Sequence, residues 1–182
     1  LLCPIFYSRD GGQTWQKSAF KNLPRESGAM VAGGGDPVFA ADANGTLYFS
    51  WINLYLVNFS QIFMGMFWVS STDGGATWTR ASNDIIGRAQ IVSMNATEAF
   101  DKQWLAVDRT TSPYRNTVYA AMFHPDAKGL NIDLRKKAPD SASFSQIGTR
   151  VTPAGFKFVQ FASTAVDPVG GVHVTFFGSK DS

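Results

Sequence analysis

The sequence has few of the residues from which disulfides, metal sites and strongly charged surfaces are made. Cys3 is the only cysteine among 182 residues, which excludes an internal disulfide. The two histidines, His124 and His173, have no companion at ligand spacing, so neither a metal site nor a cofactor is predicted. The formal net charge of +2 is too small to favour nucleic acid as a partner.

Charge is also missing from one long stretch, Ala43 to Thr72, whose segment 47–69 is apolar enough for a membrane helix. Its polar residues, its aromatics and the turn signals on either side favour a β-hairpin instead, with strands near 46–51 and 62–70 and no membrane span. The connection 52–61 is then unusually apolar. We expect Tyr55 and Leu56 to contact a protein partner there; the alternative is a loop folded back onto its own strands.

Aromatic residues (14%) and glycines (17) are abundant, as is typical of an all-β protein rich in turns. One octet occurs twice, at residues 8–15 and 71–78. Its Asp-Gly-Gly core predicts a tight turn, and the Thr and Trp that follow predict a new strand with the indole as an apolar anchor. The residues assigned to this structural role are Ser8, Asp10, Gly12, Thr14 and Trp15 in the first copy, and Ser71, Asp73, Gly75, Thr77 and Trp78 in the second.

The two octets resemble the Asp box, or BNR repeat, of the sialidase superfamily and of other Asp-box β-propellers. The resemblance implies a β-propeller of four-stranded antiparallel blades, with the box in the turn between the third and fourth strands of a blade. It also implies that the boxes lie on the rim away from the binding face, so they indicate a fold rather than a chemistry.

A longer repeat surrounds the boxes. Three strand–turn–strand units have Asp42, Asp108 and Asp167 where the first strand ends. We predict an outer half-blade over 1–24, full blades over 36–82 and 101–148, and an inner half-blade over 158–182. A decayed third box ends at Phe144. Propellers close with about 4–8 blades, so about three blades predict a partial propeller, and the remainder of the propeller would be its first partner.

In such propellers the links between blades, and those between second and third strands, open onto the binding face. The polar candidates on these links are Arg25, Glu26, Asp36, Arg88, Glu98, Asp101, His124, Asp126 and Arg150. We select Asp36, Asp101, Arg88 and His124 as binding residues. For the two aspartates the alternative is capping of local backbone N–H groups. The basic run 135–137 is interpreted as a solvated hairpin.

The resemblance leaves two main functions open. One is a recognition or scaffold module of an exported protein, secreted or at the cell surface, that binds glycan or protein; assembly or sorting of other proteins is a variant of it. The other is an exo-sialidase-type glycoside hydrolase, which needs an arginine clamp, a tyrosine nucleophile with a glutamate, and an acid/base aspartate. The sequence contains no Arg-Ile-Pro signature, so such catalytic residues would lie mostly outside this segment.

Overall fold

The computed structural model describes residues 3–21, 29–57, 61–80, 85–91 and 99–180. Over these ranges the fold is all-β, as predicted, and contains no helix. Its strands are β1 (Phe6–Tyr7), β2 (Gln16–Lys17), β3 (Ala19–Lys21), β4 (Ala29–Ala41), β5 (Leu47–Val57), β6 (Gln61–Ser71), β7 (Thr77–Thr79), β8 (Ile85–Ile91), β9 (Asp101–Val107), β10 (Val118–Phe123), β11 (Ile132–Lys137), β12 (Thr149–Arg150), β13 (Phe158–Val166) and β14 (Val172–Ser179).

The first box lies in a short hairpin of β1 and β2, and the strand that follows it joins the next sheet. β3 pairs with β7 in parallel, with Phe20 opposite Trp78. Ser18 fixes this junction, since its hydroxyl donates to the Gly75 carbonyl at 2.5 Å. The expectation of purely antiparallel, four-stranded sheets is therefore wrong here, because the chain leaving the first box finds the free edge of β7.

The second sheet contains β3 to β8. β4, β5 and β6 form an antiparallel meander, and β7 and β8 pair in turn with different parts of the long strand β6. After β3, the sheet continues from Ala29, before the predicted 36–82, to Ile91. Residues 29–35 and 85–91, which lie between the predicted blades, are therefore strand rather than loop.

The apolar connection predicted for 52–61 is wrong, because β5 continues to Val57 and is paired on both sides over its whole length. Ile52 faces one core and Tyr55 the other. Tyr55 is only 2% exposed; it accepts a hydrogen bond from Asn53 at 3.1 Å and meets Phe67 edge to face at 5.8 Å. Leu56 is half-buried. The stretch is apolar because a central strand buries both faces.

The third sheet is a four-stranded antiparallel meander of β9, β10, β11 and β12. It matches the strand count expected for 101–148, although β12 lies just beyond that range. The segment that takes the fourth strand position of this sheet begins at Ser145, whose N–H donates to the Lys136 carbonyl at 2.8 Å. β13 and β14 then form a separate antiparallel hairpin.

Within the described residues, three hydrophobic cores lie between these units in chain order. The first lies between the N-terminal segment and the second sheet, and includes Ile5 and Trp78. The next joins the second and third sheets through residues such as Trp68 and Phe144. The last joins the third sheet to the β13–β14 hairpin, where Ile132 meets Val159. The sheets therefore pack as a series, each one against its neighbours in sequence.

The predicted three-fold repeat is present in the turns that follow β4, β9 and β13. Oδ1 of Asp42 accepts the N–H of Asn44 at 2.9 Å. Oδ1 of Asp108 accepts that of Thr110 at 2.8 Å, and Oδ1 of Asp167 accepts that of Val169 at 2.9 Å. The same carboxylate thus supports the same turn in successive units.

Candidate functional site

The second Asp box is a closed hydrogen-bonded turn. Oδ1 of Asp73 accepts the Ser71 hydroxyl at 2.8 Å and the Thr77 N–H at 2.9 Å. Its Oδ2 accepts the Thr77 hydroxyl at 2.7 Å, while the Ser71 hydroxyl accepts the Gly75 N–H at 3.0 Å. Hydrogen bonds from Thr77 and Ser71 lower the pKa of Asp73. This carboxylate is occupied by its own turn.

The first box repeats this network with Ser8, Asp10, Gly12 and Thr14. Hydrogen bonds from Ser8 and Thr14 lower the pKa of Asp10. The tryptophans differ, however. Trp78 is 1% exposed, whereas Trp15 is 62% exposed, and the Trp15 indole donates back to the Gly12 carbonyl at 3.1 Å. The predicted apolar anchor is therefore present in the second box and not in the first.

Several chain segments meet at one end of the third sheet, the end opposite the turn that contains the decayed third box. The β10–β11 connection starts after Phe123, which lies opposite Asp101 at the start of β9. On the other side Arg150 of β12 lies opposite Asp133 of β11. The β10–β11 connection, the first residue of β9 and β12 therefore meet at one end.

A cavity of about 270 Å³ opens at this end. It contains three of the polar residues predicted to face the binding side, His124, Asp126 and Arg150. It also contains residues that were not predicted. The described residues that line it are His124, Asp126, Asn131, Asp133, Arg135, Gln146, Ile147, Gly148 and Arg150.

One wall of the cavity is the ion pair between Arg150 and Asp126, 2.5 Å apart. Arg150 also donates to the Thr152 carbonyl at 2.9 Å and to the Leu130 carbonyl at 2.9 Å, so its guanidinium is fixed on three sides. Partial burial opposes ionisation of Asp126, but the hydrogen bonds from Arg150 and from the Lys128 N–H outweigh it and lower the pKa of Asp126. Both groups are charged at neutral pH.

The floor is a second, buried pair. Nε of Arg135 lies 3.2 Å from Oδ2 of Asp133, with side chains 6% and 5% exposed. Arg135 also donates to the Ile86 carbonyl of β8, and its guanidinium carbon lies 4.8 Å from the centre of the Phe100 ring. The His124 ring stacks on the same Phe100 ring, with the two ring centres 4.1 Å apart. The floor thus joins the second and third sheets.

The solvated hairpin predicted for 135–137 is wrong. These residues lie in β11, where side chains alternate between faces. Arg135 and Lys137 are buried, at 5% and 6% exposure, and Lys136 is exposed. Asp133 and Arg135 were not predicted as site residues, because the basic run was interpreted as a surface feature. The alternation of apolar and charged residues from Ile132 to Lys137 is the sequence signal that could have placed them on one face of a strand.

Gly148 is required by the same floor. A Cβ built at this position would overlap the Asp133 carboxylate. The absence of a side chain at Gly148 therefore lets that carboxylate reach Arg135.

Residues 6–17 match the family model of the BNR/Asp-box repeat. The matched segment runs from β1 through the first box to β2. No curated protein matches the chain. The match supports the repeat assignment made from the octets, and its position at the box end of the molecule places it away from the cavity.

Asp36 and Asp101 line a second cavity of about 320 Å³, together with apolar residues of β5 and β6. Asp36 is paired with Lys102 at 3.0 Å, and Asp101 accepts the Gln160 side-chain amide at 2.6 Å. Both carboxylates therefore bond side chains of the following strand unit. Capping of local backbone N–H groups therefore does not account for these bonds, and the selection of the two aspartates as binding residues stays a prediction.

The two aspartates are also not equivalent positions of the repeat. A left-handed backbone recurs at Asp36, Lys102 and Phe161, with φ of 51°, 54° and 56°. Each lies six residues before the turn aspartate of its unit and within a register shift of the inner strand. Asp36 thus corresponds to Lys102 rather than to Asp101.

The remaining candidates lie elsewhere. Arg88 is exposed on β8, with its guanidinium carbon 4.6 Å from the centre of the Phe63 ring, and it does not line the first cavity. Arg25, Glu26 and Glu98 lie outside the described residues. In the described part of the chain there is no group of three or more metal-ligating side chains. Within the same ranges no helix has the length and apolar character needed to cross a membrane.

Proposed function

We propose that this chain is part of an Asp-box β-propeller that works as a recognition module and binds glycan in the cavity between His124 and Arg150. The serial packing of the sheets supports the propeller, because each blade of a propeller is buried by its neighbours. Further blades would cover the outer faces. Export to the cell surface or the extracellular space is part of the same proposal, and it rests on the Asp-box resemblance.

The observation that carries the proposed role is the pair of fixed ion pairs lining a cavity at the end opposite the boxes. A buried pair such as Asp133–Arg135 costs desolvation energy and is weak support for stability. Polar groups that converge in a concave site are, however, typical of ligand binding. The carboxylates of the boxes, in contrast, are hydrogen-bonded within their own turns.

The exo-sialidase alternative finds no support in this cavity. Its carboxylate clamp requires guanidinium groups that are free for the substrate, and here Arg135 and Arg150 are already paired. Among the described residues, no tyrosine lines the cavity. A protein contact through 52–61 stays a prediction; it would use Leu56 and its half-buried neighbours rather than Tyr55.

A glycan array tests this function. The protein is expected to bind a subset of glycans, and Arg150→Ala is expected to lose that binding while retaining the circular-dichroism spectrum of the wild type. Asp10→Asn, in the first box, is the control and should bind normally. Absence of glycan binding by the wild type, or undiminished binding by Arg150→Ala, would contradict the proposal.

A further inference from the structure

We infer that the ligand of this cavity is an electrically neutral saccharide rather than an acidic one. The inference rests on the proposed function and deepens it. It follows from how the charged groups of the cavity are paired and from which of their hydrogen-bonding atoms remain free.

Among the described residues of the cavity, the charges of the two arginines and the two aspartates cancel, and the His124 ring lies against the Asp133 carboxylate, with Nδ1 3.5 Å from Oδ2. The two guanidinium groups, of Arg135 and Arg150, face two carboxylates, of Asp133 and Asp126, at 3.2 and 2.5 Å. An anionic ligand that reached either arginine would also approach its carboxylate partner, and like charges placed together at a contact are strongly unfavourable. A cavity selective for carboxylate would leave at least one guanidinium free.

Hydrogen-bonding capacity nevertheless remains on the open wall. A guanidinium has five N–H donors, and Arg150 uses three of its bonds within the described residues. Oδ1 of Asp126 accepts from Arg150 and from the Lys128 N–H, while its Oδ2 accepts no hydrogen bond from the part of the chain that is described. Free donors and a free acceptor thus lie side by side. A sugar hydroxyl, which both donates and accepts, matches this arrangement.

Size and an apolar contact favour the same class. The volume of about 270 Å³ lies just below the ~300–1,000 Å³ of sites for drug-sized ligands, which suits a terminal sugar unit. Ile147 lines the cavity and is 89% exposed. Its side chain offers an apolar surface for the C–H face of a pyranose ring.

Matched oligosaccharides that differ only by a terminal sialic acid test the inference, in titrations with the folded protein. The neutral member is expected to bind at least about tenfold more tightly than its acidic counterpart, because a tenfold difference in affinity corresponds to a modest charge repulsion. Asp126→Asn gives the cavity a net positive charge and is expected to reduce the ratio of the affinity for the neutral member to the affinity for the acidic member. Arg150→Lys should weaken binding of the neutral member at least about fivefold, because Lys cannot reproduce the fixed, fork-shaped set of guanidinium N–H donors.

Arg115→Lys is the matched control. Arg115 also donates to two backbone carbonyls, of Arg109 and Thr110, but in the loop at the opposite end of the third sheet, and the variant should bind as the wild type does. Tighter or equal binding of the acidic member would overturn this inference and leave the proposed function intact. Binding of neither member, or binding unaffected by Arg150→Lys, would overturn both.

Discussion

The two box tryptophans provide a matched pair of substitutions, Trp78→Ala and Trp15→Ala. Trp78 is 1% exposed, and its ring centre lies 5.8 Å from that of Phe39 and 5.9 Å from that of Phe49. An aromatic side chain buries ~150–250 Å², which at ~25 cal/mol per Å² corresponds to ~4–6 kcal/mol. Because an extended reference chain makes this an upper estimate, we expect a loss of ~3–5 kcal/mol, as for other buried tryptophans.

Trp15 occupies the same position of the same motif but is 62% exposed. Burial of the remaining two-fifths scales the expected loss of ~3–5 kcal/mol to ~1–2 kcal/mol. The difference between the two variants should therefore be at least about 2 kcal/mol, or ~4–8 °C in melting temperature for a chain of this size. Urea and thermal unfolding followed by circular dichroism measure both values. Equal losses would refute the reasoning, since they would show that Trp15 is buried as deeply as Trp78 in solution.

Three further predictions concern the charged groups. Because the pKa values of Asp10 and Asp73 are lower in the folded than in the unfolded state, their ionisation stabilises the fold above about pH 4, and this stabilisation is lost as the pH falls through the folded-state pKa. The double variant Asp10→Asn/Asp73→Asn should therefore lose free energy of unfolding less steeply than the wild type from about pH 4 to 2. Urea titrations measure this dependence, and an equally steep loss in the variant would contradict the prediction. Gly148→Ala should displace the Asp133 carboxylate and cost ~1–3 kcal/mol in thermal unfolding; an unchanged melting temperature would show that the carboxylate moves freely. Arg135→Met leaves Asp133 buried without its cation and should cost ~3–5 kcal/mol, most of it recovered on adding Asp133→Asn; a double-mutant cycle with no coupling would disprove the pairing.

The turns and the repeat were predictable from sequence because their causes are local. Asp73 bonds residues within four positions of itself, and the same short-range chemistry fixes the turn after Asp42. A pattern of residue types is enough to predict such turns. The exposure of Trp15 was not predictable in this way, because it depends on which segment packs over the first hairpin.

The strand bounds failed where local signals conflicted with sheet position. An apolar run is compatible with an exposed loop that binds a partner or with a central strand buried on both faces, and β5 is the latter because β4 and β6 flank it. Likewise, Arg135 was interpreted by its charge rather than by its alternate position in β11. In both cases the missing information was the identity of the neighbouring strand.

The candidate site was the least predictable part, because it depends on bonds between successive sheets. Arg135 of β11 reaches the Ile86 carbonyl of β8, and Lys102 of β9 reaches Asp36 of β4. Both contacts join strand units more than 40 residues apart in sequence. The bulged, left-handed positions occur at the same place in each unit, and bulges of this kind redirect side chains beside functional sites. A shift of one sheet relative to the next would therefore break these contacts and move the cavity wall, which makes the packing between sheets, rather than the boxes, the determinant of the shape of the cavity.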